Sequence, residues 1–555
     1  MPEKSKDQSS RESAMDSGIA ADTKSLYSML KETAEKNRSM PAFIFWKRRF
    51  TYDALLKMVD SLAESLRSRF SIPKGARLGL LLPNSPPLVV SLYAISKISA
   101  VGVPINPKSS LREIENVVRH SGMRCLITTD TNLEKVKGLA SEDLIIIVAR
   151  MQDFISFGSA IRRSFRHGLK YLDQEELSEG VAKFSDLIYT GDNGAEEDYS
   201  PSEVALLAYS GSTSLSPKAA SLTHNNLYVN IKNLAEWFPK IERRTITIAA
   251  VPFHHMFSLL IALLVPISSG STIVLIEDYR NVDDILNSIT EYLCDYFVGN
   301  PSVFKELLER KDLLKYRIGT VKVFIAGGDT VTEEFARHFE EITGSSIVTT
   351  YGTKEVTGVS HINPLDKRRR KYSSIGRLVN NTEARIVDDE TGEEAAEGSV
   401  GLLWIRGPQV MKEYWKNKEA TEEVLKDGWF LTGDMARIDS DGFYFLYQRK
   451  REAIVSDSSM VYAVEVEEVL KQNPSVDEVA VIGLPDEKRG EIIKAYIIAK
   501  EGEKISEKEL RELCDSQLSE YKRPTIYEFR SELPKNMEGQ VIKRILREES
   551  LKEGE

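Results

Sequence analysis

Three cysteines in 555 residues leave no disulfide framework. Cys125, Cys294 and Cys514 stand far apart, without metal-ligand spacing, and fit a reducing cytoplasm. Long apolar runs are missing too. The longest, 256–267, falls short of the ~20 residues that a helical membrane span needs, and a buried core helix is expected there. Positive charge is in deficit: 74 Lys and Arg against 84 Asp and Glu give a net charge of −10, which argues against nucleic acid as a partner. The GxxxxGK[ST] phosphate loop is absent, as is any internal repeat of fixed period. Residues 1–24 have no apolar core, so a solvated tail is expected rather than a signal peptide or an anchor.

What is present is a soluble globular composition, 41% hydrophobic and 28% charged, on a chain too long for one core. Its most informative stretch is 209–224, YSGSTSLSPKAASLTH. The apolar run 204–208 ahead of it reads as a strand. Behind it, Leu227, Ile231, Leu234 and Trp237 have helical spacing over 225–238. A hydroxyl-rich loop between strand and helix supplies what a polyphosphate needs: backbone N–H groups, the hydroxyls of Ser210, Ser212, Thr213 and Ser214, and the ammonium of Lys218. A serine-rich surface linker is the competing reading.

The rest of the chain alternates. Helices are expected at 26–36, 52–70, 87–99 and 111–121, a small hairpin at 42–45 with 49–51, and a strand at 77–82. Such alternation predicts a mostly parallel sheet covered on both faces. Residues 151–171 mix Phe154, Ile155 and Phe157 with Arg162, Arg163 and Arg166. That pattern suits a helix packed on its own domain, or a basic amphipathic helix in peripheral contact with an anionic membrane. The run KRRRK at 367–371 reads as a solvated loop or as a steering patch for phosphates. The segment TIAAVPFHHMFS, 247–258, carries a strand into His254 and His255, a better site candidate than a lone histidine. From Val476 onward, strands at 479–482 and 526–529 around a helix at 505–518 suggest a compact α+β domain.

Several of these stretches match one family in register. Tyr209, Thr213, Pro217, Lys218 and Leu222-Thr223-His224 follow the pattern Y-[ST]-S-G-T-T-G-x-P-K-G…L-T-H. The chain also carries a P-F-H-H step, Gly327-Gly328-Asp329, Tyr351-Gly352-Thr353-Lys354-Glu355, Gly428-Trp429-Phe430-Leu431-Thr432-Gly433-Asp434, Arg449-Lys450-Arg451-Glu452 and a C-terminal PKNMEGQVIKR. Together they resemble the adenylate-forming superfamily of acyl-CoA synthetases, luciferases and peptide-synthetase adenylation domains, over nearly the whole chain from about residue 25 to 548.

That resemblance implies an α/β protein: a large N-terminal domain of parallel-rich subdomains with a β-barrel-like part (25–448, after the tail 1–24), a hinge at 449–451 and a small α+β lid at 452–555. It implies ATP-dependent acyl-CoA formation in the cytoplasm through an acyl-adenylate, with ATP, Mg²⁺ and CoA joining a small carboxylic acid. Ser210, Ser212, Thr213, Ser214 and Lys218 would bind phosphate. Gly328, Asp329, Thr350, Tyr351 and Gly352 would surround adenine, and Asp434 and Arg449 would hold ribose. Glu355, with Thr213, would ligate Mg²⁺. His255 would border the carboxyl group, and His254, Met256 and Phe257 would line the substrate pocket. Arg451 would be the pivot of the lid.

Glycine is replaced by Ser212, Leu215 and Ala219, and by Ser458 in the lid. Lys354 stands for a threonine and Gln540 for a lysine that bridges the carboxylate and the α-phosphate. Lys354 would then partly replace the charge missing at position 540. Two readings remain open at this point: a working acid–CoA ligase, and a weakened or inactive relative that binds nucleotide or acyl ligand as a sensor or scaffold. Acid identity, oligomeric state and the acyl acceptor stay open as well.

Overall fold

The computed structural model describes residues 22–155, 181–189, 194, 196, 198–209, 218–237, 245–328, 331–388, 391–449, 453–456, 459–486, 489–503, 505–518, 520–535 and 541–553. Ser210, Ser212, Thr213, Ser214, Asp329, Arg451 and Gln540 lie outside them, as does most of 151–171. The chain divides into two compact units, Met1–Ala384 with Ile405–Leu431 and Arg385–Trp404 with Thr432–Glu555.

The larger unit holds two big sheets. One has nine strands, and its centre is parallel: Thr272–Leu275, Ile246–Ala249, Tyr296–Gly299, Val323–Ala326 and Ser346–Tyr351 run the same way. Runs such as TIVL, YFVG and VFIA are apolar on both faces because helices cover both faces. Phe297, Phe304, Phe324 and Phe339 interlock beneath it with ring centroids 4.7 to 5.8 Å apart. The second sheet has eight strands, with Arg77–Leu81 parallel to its neighbours Val101–Pro104 and Met123–Thr129.

At one edge of this second sheet the structure departs from expectation. Val204–Tyr209 pairs antiparallel with Ala219–Thr223, and Tyr209 faces Ala219 in register. The hydroxyl-rich loop therefore rises from a hairpin, not from a strand-to-helix turn. AASLT is short and small, so no period marks it as a strand, yet all five residues are buried. The helix follows directly as His224–Ala235, with Thr223 and Asn226 forming a capping box. Four other helices fall close to expectation: Leu26–Asn37, Tyr52–Glu64, Pro86–Lys97 and Leu111–Ser121. The second of them widens into a π turn over Ser65–Arg69.

The apolar run from Met256 is a core helix, with residues 258–267 all buried and a wide turn over Leu260–Leu264 just before Pro266. Proline offers no N–H to the helix ladder, and a wider turn accommodates the break. Among the described residues no helix is long and apolar enough to cross a membrane. The three cysteines are buried and free.

One sequence reading changes, and one of two alternatives for another stretch gains support. In the basic run 367–371, Arg370 is 1% exposed and bonds Glu340 at 3.0 Å, and Lys367 reaches the same carboxylate at 2.8 Å. Arg370 is thus an internal anchor, with Lys367 reaching in from the surface, and the Tyr372 hydroxyl closes the group by donating to Glu340 at 2.7 Å. In 151–171, the described start has Met151, Phe154 and Ile155 inside the core, which suits packing on its own domain.

The smaller unit is built on a long antiparallel hairpin, Val476–Asp486 with Gly490–Ala499, joined by the parallel strand Ile526–Phe529 and the helix Glu507–Gln517. Gly490–Ala499 is absent from the sequence reading because Lys494 interrupts its apolar pattern. That lysine is buried on Glu528 at 2.6 Å.

His224 and His361 are buried; exclusion of water pushes the first down to about 4 and the second to about 3. The unfolded chain takes up these protons near pH ~6.5, and the fold does not. Stability is therefore full above ~6.5 and falls as pH drops, by about 1.4 kcal/mol per unit and per site until the folded value is reached. The urea midpoint of the parent is expected to fall through this window, and His224→Gln is expected to flatten the fall. An unchanged slope in the variant would contradict this.

Candidate active site

The site in the larger unit is built on the turn after Ser346–Tyr351. Gly352 passes so close to Gly358 that a Cβ would lie 2.5 Å from its carbonyl oxygen. The chain then makes a short helical turn over Lys354–Val356 and leaves through Thr357 at φ 55. Asn230, in the middle of His224–Ala235, donates its amide to the carbonyls of Val356, Thr357 and Val359 at 3.3, 3.0 and 3.0 Å. Asn226 does the same for Pro408 and Val410, at 2.7 and 2.9 Å. Asn233 donates to the carbonyl of Asn380 at 2.7 Å. These three positions, i, i+4 and i+7, share a helix face. The sequence reading missed them, although the spacing of asparagines was visible. Asn230→Ala leaves buried carbonyls unserved, at about 1–3 kcal/mol. It is expected to lower the melting temperature and weaken AMP binding in calorimetry. A variant equal to the parent in both would remove this role.

The turn places Glu355 inside the protein. Its carboxylate is 6% exposed and its Oε1 meets Lys354 Nζ at 2.7 Å. The same oxygen accepts from the Tyr414 hydroxyl at 2.8 Å. Burial alone would raise this carboxyl; the Lys354 ammonium, with hydrogen bonds from Lys354 and Tyr414, holds it below the ordinary carboxylate range. Lys218, which closes the loop 210–217, brings its Nζ to 5.5 Å from the centre of the Tyr414 ring. Two ammonium groups thus flank one carboxylate and one phenol at the foot of that loop. Tyr414 carries no motif, and nothing in the sequence pointed to it.

A second wall comes from the start of the core helix. The Phe257 ring lies over Gly327, where a Cβ would fall 2.4 Å from it. Gly358, at φ +91, lies against the carbonyl of Met256, and Gly328, at φ +88, lies beside Asn300. Residues 256–257, 327–328 and 352–358 therefore converge. Met256 itself is buried. His254 and His255 stack with centroids 4.3 Å apart. Burial, then His255 and Lys108, push His254 down to about 3, so its imidazole stays neutral. Tyr351 is half-buried and edge-on to His361 at 5.5 Å. The hydroxyl of Thr350 donates to the Ala326 carbonyl at 2.9 Å and joins the two strand ends.

In the smaller unit, Asp434 on Trp429–Ile438 stands opposite Arg449 on Tyr444–Arg449 in antiparallel register. The two residues that the resemblance assigns to ribose are cross-strand partners. Asp434 is buried, and its N–H donates to the Thr432 hydroxyl at 3.0 Å. Among the described residues no group of three or more His, Cys, Asp or Glu could hold a metal.

Comparison with known proteins places the family and the fold. The family model described as AMP-binding enzyme matches residues 30–415, and that of its C-terminal domain matches 465–540. A long-chain-fatty-acid–CoA ligase of Bacillus subtilis is 31% identical over 538 residues, 95% of this chain and 94% of its own. The structure of a Mycobacterium tuberculosis fatty acyl CoA synthetase superposes with a TM-score of 0.74 at 25% identity, covering 95% of this chain and 98% of its own. ATP-bound MatB from Rhodopseudomonas palustris superposes at 0.82 and 24% identity, over 95% and 98% of the two chains.

Proposed function

The chain belongs to the AMP-binding enzyme family, and on that footing we propose that it is an ATP-dependent acid–CoA ligase. The observation that carries this reading is the end-to-end likeness, at 31% identity, to a long-chain-fatty-acid–CoA ligase. A fatty acid is accordingly the first candidate for the substrate. A carboxylate oxygen of the acid attacks the α-phosphorus of ATP, and pyrophosphate leaves. The CoA thiolate then attacks the acyl carbon of the acyl-adenylate, and AMP leaves with the electron pair of the broken C–O bond.

The residues described fit such chemistry group by group. Lys218 and Lys354 supply positive charge at the foot of the loop 210–217. The side-chain-free backbone at Gly328, with Tyr351 at the end of the neighbouring strand, suits the flat face of a base. Neutral His254 presents hydrogen bonding without charge to an uncharged acyl group, and Phe257 gives that group an apolar neighbour. Asp434, an ionised carboxylate with several lone pairs, suits the two hydroxyls of a ribose. In this reading residues 452–555 act as the lid and Arg451 as its pivot, with motion of the lid separating the two half-reactions.

Mg²⁺ fits less well. Of the two ligands that the resemblance names, Thr213 lies outside the described residues. Glu355 already has an ammonium and a phenol on one oxygen. A magnesium ion needs open anionic oxygen and tight octahedral geometry, whereas this carboxylate, though ionised, is buried and already has an ammonium and a hydroxyl on Oε1. No step above depends on it.

The test is product analysis with ATP, CoA and a panel of acids from short to long chain. AMP, pyrophosphate and acyl-CoA are expected in equal amounts for at least one acid. ATP consumption without any thioester would overturn the reading.

A further inference from the structure

Among the described residues, the family resemblance and the geometry part at Glu355. A buried carboxylate needs a counter-charge. Here the chain itself supplies it: the neighbouring residue, Lys354, folds back onto Oε1 at 2.7 Å, and its side chain is only 21% exposed. The Tyr414 hydroxyl fixes the same oxygen from the other side at 2.8 Å. Met411 N–H donates to the Glu355 carbonyl at 2.7 Å, Thr357 hydroxyl donates to the Gln409 carbonyl at 2.7 Å, and Asn230 grips the turn. The ion pair is held by a framework, not by a loose surface rotamer. A cation approaching Glu355 from outside would have to displace an ammonium from a largely dry carboxylate, and would then sit beside it with like charge.

Lys218 adds a second ammonium, 5.5 Å from the centre of the Tyr414 ring. Lys218 and Lys354 set two positive charges against the single negative charge of Glu355. Lys218 directly follows 210–217 in the chain, the hydroxyl-rich stretch that reads in the sequence as a polyphosphate cradle.

We propose that Lys354 is the resident counter-ion of Glu355 and takes the place of a protein-held divalent cation, so that this chain binds a nucleoside triphosphate through lysine charge. This rests on the nucleotide-binding reading above. A lysine tethered in the fold is always present, whereas a magnesium ion must be recruited with the nucleotide. It is also a point charge with three donors and no octahedral demand, so it tolerates triphosphates whose metal is bound differently or not at all.

The experiment is calorimetric titration of the full chain with ATP and, separately, with AMP, in excess EDTA and in excess magnesium chloride. The proteins are the parent, Lys354→Thr and Lys354→Arg. In the parent, ATP affinity is expected to differ by no more than about threefold between the two buffers. Lys354→Thr is expected to lose roughly tenfold or more in EDTA and to recover in magnesium, because the vacated carboxylate can then take the metal. Lys354→Arg keeps the charge and is expected to follow the parent. AMP affinity is expected to ignore the metal in all three. A parent whose ATP affinity collapses in EDTA as far as that of Lys354→Thr overturns the inference while leaving AMP binding, and the nucleotide reading, intact. Absence of both ATP and AMP binding from the parent overturns the nucleotide reading and the inference together. A Lys354→Thr protein that fails to fold leaves the parent and Lys354→Arg to decide. Metal-independent binding in both supports the inference, and metal dependence in both overturns it.

Discussion

Gln540→Lys is expected to speed acyl-adenylate formation by a factor on the order of 10²–10³, the usual worth of one donor aimed at charge developing in a transition state. Residue 540 closes the stretch that matches the family's C-terminal domain. By resemblance, a lysine there bridges the attacking carboxylate and the α-phosphate. Glutamine can donate a hydrogen bond at that position but offers no charge, and charge-assisted bonds are about twice as strong as neutral ones. The effect should be confined to one half-reaction. Acid-dependent pyrophosphate release should rise steeply, while transfer from a supplied acyl-adenylate to CoA should change little, since the bridging role belongs to the first step. A rise of equal size in both halves, or no rise in either, would show that position 540 does not serve adenylation.

Gly352→Ala should have the largest effect on the architecture of the site. A Cβ at that position would lie 2.5 Å from the Gly358 carbonyl oxygen, 2.6 Å from the Val359 Cα and 2.7 Å from the Gly358 carbonyl carbon. All three are backbone atoms, so no rotamer change can make room. Either the turn opens or the end of Ser346–Tyr351 moves, and Lys354 and Glu355 move with it. The cost should reach or exceed the ~1–3 kcal/mol typical of an overpacked core, and AMP affinity should fall at least ~10-fold with the displaced turn. Gly138→Ala is the matched control, because nothing lies within 4 Å of its Cβ position and no positive φ is recorded there. If the two variants have the same melting temperature and the same AMP affinity, the turn is not held as described.

The fold was largely legible because its signals are local and strong. Leu111–Ser121 announces itself with Ser110 and Glu113 as a capping box and Gly122 as a left-handed cap. The parallel strands announce themselves as short apolar runs between helices. The hairpin strand Ala219–Thr223 was not legible, because three of its five residues are alanine or serine and its strand character comes from pairing with Val204–Tyr209. Lys494 hid a strand for the opposite reason: its charge is satisfied by Glu528, far away in sequence.

The site divides the same way. Motif spacing brought Gly327, Gly328, Tyr351, Gly352 and Glu355 to attention, and named Asp434 and Arg449 separately without showing that they are cross-strand partners. It could not show that Lys354 turns back onto its neighbour, since that depends on the bend of one short turn. Nor could it show Tyr414 reaching Glu355 across 59 residues. The asparagine face of His224–Ala235 was readable as a period but not as a purpose, because the carbonyls it serves come from loops far along the chain.

The measurement that bears most directly on the function is exchange of isotopically labelled pyrophosphate into ATP, run with fatty acids of increasing chain length and alongside AMP calorimetry. Exchange requires reversible attack of a carboxylate on the α-phosphorus and nothing later, so it isolates the adenylation step. The expected result is exchange that depends on the acid for at least one chain length and strengthens in Gln540→Lys. Firm AMP and ATP binding with no acid-stimulated exchange, in the parent and in Gln540→Lys alike, would contradict the ligase and leave a nucleotide-binding relative without adenylating chemistry.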